Sequence, residues 1–233
     1  IGFDVGSLTS TSNILGRTTF KADIKGSGLA LDKLNAQMDG LISSLELNQY
    51  NYKNITVNGQ VSKKLFNGIL NVSEENLGLG FEGTIDFTSK IPIYKFNTTI
   101  SHAKLAKLNL IDRDTSSELN TSAIINMSGT DIDNMQGFIH IGKTDYFESN
   151  KTISMNFLTF ESSGNMGVQN AVLKSDILDI SMSGSYKRTT MYNDAMNVLS
   201  SFVPLLSKKA MSSEGTTILN YDILLKDPNP ILD

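Results

Sequence analysis

The chain has 233 residues, with 24 acidic and 20 basic side chains and a formal net charge of −4. This balance argues against a basic nucleic-acid groove, which binds by neutralising phosphates. Cysteine is absent, which excludes disulfides, thiolate nucleophiles and cysteine zinc sites.

Apolar and polar residues alternate over most of the chain. Alternation places every second side chain on the same face of a strand. Short turn sequences, such as Asn48-Gln49 and Ser62-Lys63-Lys64, separate the runs. The sequence therefore predicts an all-β, mainly antiparallel chain with strands of about 6–11 residues. In chain order the apolar positions of the main runs are Phe20, Ala22, Ile24; Leu34, Ala36, Met38; Phe66, Leu70, Val72; Leu77, Leu79, Phe81, Ile85, Phe87; Tyr94, Phe96, Ile100; Ala123, Ile125, Met127; Ile139, Ile141; Leu178, Ile180, Met182; Leu219, Tyr221, Ile223 and Leu225.

Two segments depart from this period of two. Leu105 and Leu108 are spaced for one helical turn or a loop. Farther along, the spacing of apolar residues predicts one short amphipathic helix at 194–206, which Pro204 would kink or shorten. Its apolar residues are Met196, Leu199, Phe202, Val203 and Leu206.

Motifs for catalysis and cofactors are weak. Gly78, Gly80 and Gly83 spell G-x-G-x-x-G, but they fall inside an alternating strand rather than between a strand and a helix, where a dinucleotide site needs them. The acidic turns at 112–114 and 131–134 lack the glycine and glutamate of a calcium loop; polar turns explain them, and a weak surface ion is the alternative. We expect no enzyme activity, no cofactor and no metal site.

Alternation alone leaves two architectures open. In a β-sandwich, two apolar faces cover each other. In a bent, trough-like sheet, the apolar face stays available for a ligand, and an uncovered apolar face of several hundred square ångströms marks an interaction surface.

Several phrases resemble the AsmA-like repeat region of TamB-type envelope proteins. They are residues 34–40 (LNAQMDG), 44–59 (SLELNQYNYKNITVNG), 66–70 (FNGIL) with 77–83 (LGLGFEG), 101–110 (SHAKLAKLNL) and 175–186 (SDILDISMSGSY). The stretch 101–110 is similar to the connector between sheet units of that family. The resemblance covers about residues 15–225 and contains no catalytic signature.

The resemblance implies an elongated, curved sheet with an apolar groove, a β-taco, in the periplasm of a Gram-negative bacterium. Such proteins are anchored in the inner membrane and are thought to conduct phospholipid to the outer membrane. They are also linked to a barrel partner of the BamA class, here through regions outside this chain. We expect residues 1–233 to be one groove segment from a longer protein, with 1–111 and 112–233 as candidate sub-units.

On this interpretation the alternating apolar residues hold lipid tails, because burying each methylene is worth ~0.8 kcal/mol. The helix at 194–206 would cap or gate the groove through the five apolar residues given above. Two alternatives remain: a sheet edge that adds strands of outer-membrane clients by β-augmentation, and a closed β-sandwich surface module. The predicted groove residues are Phe66, Leu70, Leu79, Phe81, Ile85, Phe87, Tyr94, Phe96, Ile125, Met127, Ile180 and Met182.

Overall fold

Strands make up most of the computed structural model, which describes residues 2–4, 15–27, 35–112, 116–149, 151–165, 167–187 and 218–226. These residues contain no helix, and the predicted all-β, antiparallel class is confirmed. The predicted helix at 194–206 lies outside the described residues. The strands are β1 (Gly2–Asp4), β2 (Leu15–Ser27), β3 (Asn35–Leu47), β4 (Tyr50–Ser62), β5 (Leu65–Glu74), β6 (Leu77–Asp86), β7 (Ile93–Ala103), β8 (Glu118–Ser128), β9 (Gln136–Ile141), β10 (Thr144–Glu148), β11 (Lys151–Met155), β12 (Leu158–Asn165), β13 (Val168–Ser175), β14 (Leu178–Ser185) and β15 (Ile218–Leu225).

All described strands belong to one curved, open sheet. Strands that follow one another along the chain are neighbours in the sheet, except that β9 pairs with β12 and the hairpin β10–β11 lies off this path beside β8. Every pairing is antiparallel. Strands β7 and β8, on either side of the predicted boundary at 111/112, are themselves hydrogen-bonded neighbours. The division into sub-units stays a prediction.

Short turns fix the register of neighbouring strands, because a two-residue connection leaves no slack between antiparallel strands. The turn Glu75-Asn76, for example, brings Glu74 opposite Leu77. The predicted strand lengths were too short, since β2, β3 and β4 each have 13 residues.

The alternation changes phase within β4. Tyr52 and Ile55 are both buried, although residues three apart on a regular strand face opposite sides. Between them Asn54 has a φ of 52°, in the left-handed region that asparagine tolerates better than most residues. This kink returns the side chains before and after it to the same face.

The main buried cluster lies where the apolar face meets the turns at one end of β4–β7. A segment that we call the return segment, Lys104–Leu110, folds back over this part of the face, and its Leu108 is 0% exposed. It corresponds to the segment for which the sequence predicted a helical turn or a loop, and the structure forms turns there. The cluster consists of Tyr52, Ile55, Val57, Val72, Leu77, Ala103 and Leu108.

Backbone and side-chain hydrogen bonds hold the return segment at both ends. The Lys104 amide donates to the Asn76 carbonyl at 3.0 Å. At the other end, the amide groups of Asn48 and Asn109 donate to each other's backbone carbonyl, at 2.7 and 3.2 Å. The segment therefore connects the end of β7 to the turn between β3 and β4.

Candidate functional site

The strand register collects the apolar residues on one side of the sheet, which we call the apolar face. Directly opposed residues of an antiparallel pair point to the same side, so each line of register partners forms a row across the sheet. One row contains Phe96, Ile125, Ile139, Phe160, Leu173, Ile180 and Ile223. The next contains Phe66, Ile85, Tyr94, Met127, Gly137, Ser162, Ala171, Met182 and Tyr221.

The structure places eleven of the twelve predicted groove residues on strands in these and the two adjacent rows. Leu70 is opposite Phe81, and Leu79 lies in the row beyond them, between Val72 and Ile100. Phe87 is the exception: it follows the end of β6 and is 43% exposed. Its ring packs edge-on against Tyr94, with the centroids 5.7 Å apart.

Most side chains in these rows are half-buried. None of the phenylalanines whose side chains are described is buried, and among the predicted groove residues only Met127, 3% exposed, reaches the interior level. Two mated sheets would enclose such rings completely. The face is covered at the return segment and again beside β12 and β13, where Ser162 and Gln169 donate to the carbonyls of Met135 and Asp133.

Three phenylalanine rings form a contact series across β5, β6 and β7. The ring centroids of Phe66 and Phe81 are 5.5 Å apart, and those of Phe81 and Phe96 are 4.7 Å apart. These distances fall in the range of favourable aromatic pairs. The series gives the face a continuous hydrocarbon surface across three strands.

The central strands of the apolar face are free of charge. On β6–β9 and β12–β14, the positions in phase with the apolar residues contain no Asp, Glu, Lys or Arg. Two aliphatic hydroxyl groups on this side bond within the protein: Thr98 donates to the Gly80 carbonyl at 2.9 Å, and Ser162 donates to the Met135 carbonyl at 2.8 Å. A hydrocarbon chain moving across these strands would therefore meet no ion.

A row of three glycines shapes the floor of the face. Gly59 is opposite Gly68, which is opposite Gly83, on the successive strands β4, β5 and β6. A Cβ atom on Gly59 would lie 2.6 Å from the Gly68 Cα, and one on Gly83 would lie 2.5 Å from the Phe96 Cα. Only glycine fits in this row, because an added Cβ atom would overlap neighbouring backbone.

The glycine motif therefore has a structural explanation. Gly83 has a φ of 143°, a conformation that favours glycine, and belongs to the row of three glycines. Gly78 and Gly80 lie on the opposite face, where added Cβ atoms would meet the side chains of Ser101 and Thr99. All three lie inside β6, as the alternating pattern predicted.

At the end of the apolar face that the return segment covers, burial shifts the pKa of two tyrosines. Tyr52 packs edge-on against Tyr50, with ring centroids 4.7 Å apart, and Asn76 donates to the Tyr50 hydroxyl at 3.0 Å. Burial raises the pKa of both tyrosines, and the carboxylate of Glu74 raises that of Tyr52 further. Neutral phenols suit this buried end of the face.

Other predicted features lie elsewhere or outside the described chain. The five predicted gate residues fall in the segment that the structure does not describe. The acidic turn at 131–134 is a polar turn, in which the Asp133 amide donates to Asp131 Oδ1 at 2.9 Å. Across the described ranges, no group of three His, Asp or Glu side chains is placed to hold a metal ion.

Sequence reasoning missed several residues of the face. Leu105 and Leu108 cover one end of it, and their i, i+3 spacing was the available signal. Phe160 and Leu173 continue the central row on β12 and β13, two strands that the alternating runs did not include.

Comparison with known proteins does not identify the chain: no protein-family model, curated protein or solved structure matches it. Within the residues that the structure describes, no helix is both long and apolar enough to cross a membrane. The resemblance to TamB-type proteins stays a prediction. The apolar face is the structural feature from which a function can be inferred.

Proposed function

We propose that this chain is a non-enzymatic segment that carries phospholipid along its apolar face, between the inner and outer membranes of a Gram-negative bacterium. The observation that carries the proposal is the largely half-buried apolar face of one curved, open sheet, which has no charged residue on β6–β9 and β12–β14. The periplasmic location and the TamB-like family come from the resemblance of the sequence.

The energetics favour acyl chains as the guest. An acyl chain that buries about ten methylene groups gains ~8 kcal/mol at ~0.8 kcal/mol per group. That gain needs no directional bond, so it changes little as the chain moves from one strand to the next. Charged groups would create polar traps, and the described face has none on β6–β9 and β12–β14.

The decisive experiment places a charge on the face. Phe81→Asp puts a carboxylate between the Phe66 and Phe96 rings, and we expect the purified variant to retain much less phospholipid, measured by native mass spectrometry. Ile69→Asp is the matched control, because Ile69 lies on β5, faces the other side of the sheet and is 43% exposed. Circular dichroism checks that both variants are folded. Equal lipid retention by a folded Phe81→Asp variant would refute the proposal.

A second candidate function is the addition of client strands to an edge of the sheet. Strand β15 ends the described sheet, and its Tyr221, Ile223 and Leu225 are 63%, 59% and 57% exposed. Such an edge offers unpaired backbone groups to an extended segment. A photo-crosslinker at Asp222 should capture unfolded outer-membrane clients if this function holds, whereas one at Asn97, in central β7, should not.

A further inference from the structure

The hairpin β10–β11 continues the apolar face beyond the main path of the sheet. Ile153 is opposite Tyr146, Tyr146 is opposite Leu119, and Leu119 is in turn opposite Ala103 of β7. Since register partners share a face, Tyr146 and Ile153 lie on the same side as the apolar residues of β7 and β8. The hairpin therefore forms a rim beside the apolar face.

A cavity of about 420 Å³ lies on this side of the hairpin, lined by Tyr146, Glu148, Ser149, Lys151 and Ile153. Its volume falls within the ~300–1,000 Å³ of typical small-molecule sites. Tyr146 and Ile153 provide apolar walls, and among the described residues that line the cavity only Glu148 and Lys151 are charged.

The two charges are opposite in sign and adjacent. Glu148 and Lys151 are register partners across the hairpin. Three ion pairs form among the described residues, and neither Glu148 nor Lys151 takes part in them. The nearest charges on the hairpin, Lys143 and Asp145, pair with each other at 3.2 Å. The cavity thus presents one carboxylate and one ammonium group beside an apolar wall.

We propose that this cavity binds the headgroup of a zwitterionic phospholipid whose acyl chains lie on the apolar face. The Lys151 ammonium would bind the lipid phosphate, and the Glu148 carboxylate would bind the positively charged amine of the headgroup. This inference rests on the proposed function and adds the class of lipid. An anionic lipid, whose headgroup lacks the amine, leaves Glu148 facing negative charge.

Charge reversal tests the site without disturbing the apolar face. The protein is equilibrated with vesicles containing equal amounts of phosphatidylethanolamine and phosphatidylglycerol, and the lipids retained are measured by native mass spectrometry. We expect the wild type to favour phosphatidylethanolamine. Glu148→Lys should move the ratio toward phosphatidylglycerol by about three- to fivefold, as expected for the loss of a partly exposed ion pair.

Lys151→Glu should lower retention of both lipids, and the double swap Glu148→Lys/Lys151→Glu should restore the wild-type preference. The matched control is Lys174→Glu, which makes the same charge change at an exposed position on the polar face of β13 and should change neither quantity. Excess soluble phosphoethanolamine should not displace the lipid, because the acyl chains supply most of the affinity; displacement would overturn the assignment to a lipid.

The two proposals fail in different ways. If wild-type protein retains no lipid, the proposed function fails. If all variants retain lipid in the wild-type ratio, lipid carriage stands and the headgroup site is refuted.

Discussion

Removing the Leu108 side chain tests whether the return segment encloses one end of the apolar face. Leu108 is 0% exposed and packs in the cluster with Tyr52 and Ile55. Leu→Ala at buried sites costs about 2–5 kcal/mol, and more where the surroundings cannot collapse into the cavity. Hydrogen bonds anchor the segment at both ends, at Lys104 and Asn109, so we expect a loss of about 3–4 kcal/mol for Leu108→Ala.

Urea denaturation followed by circular dichroism measures this loss as a shift of the midpoint at constant slope. Leu110→Ala is the matched control, because Leu110 belongs to the same segment and is 55% exposed. Its effect should stay within about 0.5 kcal/mol. A loss of less than about 1 kcal/mol in unfolding free energy for Leu108→Ala would show that the return segment does not enclose Leu108. Removing an enclosed leucine side chain costs more than that.

Three further predictions concern the row of glycines and two titrating side chains, Asp179 and Tyr52. Gly68→Ala should destabilise the protein by more than about 2 kcal/mol in the same assay, because its Cβ would lie 2.6 Å from the Gly59 Cα; Gly142→Ala, which meets only the Ser122 side chain within 3.4 Å, should be nearly neutral. The Lys226 ammonium, 2.7 Å from Asp179, lowers the pKa of that carboxyl, so its contribution to stability is present above pH ~4 and is lost as the pH falls through the lowered value. Acidification should therefore destabilise the wild type more than Asp179→Asn, and equal acid sensitivity would contradict this. Burial raises the pKa of Tyr52, so its contribution to stability is lost only as the pH rises through the raised value. Tyr52→Phe should reduce the late part of the phenolate titration at 295 nm and leave the part that comes from Tyr50, whose pKa is also raised; an unchanged late phase would contradict the assignment.

The curved, open form of the sheet matters for the proposed function because the apolar face stays accessible along the row of strands. At Gly59, Gly68 and Gly83 the strand backbones approach each other too closely on this face for any residue with a Cβ atom. A guest bound there would still meet the covered end, where Leu108 already occupies the face. We therefore expect lipid tails to lie chiefly on the open part, over the row that contains Phe96, because Met127 in the next row is only 3% exposed.

The local pattern of the sequence was sufficient for many of the strands and for which of their residues share a face. Leu77, Leu79, Phe81 and Ile85 face one side because a strand has a period of two, and the short turn at 75–76 admits only an antiparallel neighbour. The same pattern failed within β4, where Asn54 restores Ile55 to the face of Tyr52. That change depends on one left-handed residue, which alternation does not reveal.

By itself, the sequence determined an antiparallel chain with one apolar side, because side-chain direction in a strand follows from position alone. Whether that side is mated or open depends on contacts between residues far apart in the chain, and only the tertiary structure decided it. The register aligned three glycines on neighbouring strands, at positions where a Cβ atom would not fit. The return segment covered one end, since Asn109 reaches Asn48 across the strands between them. Alternation is the same in a sandwich and in an open sheet, so no local pattern could have distinguished the two.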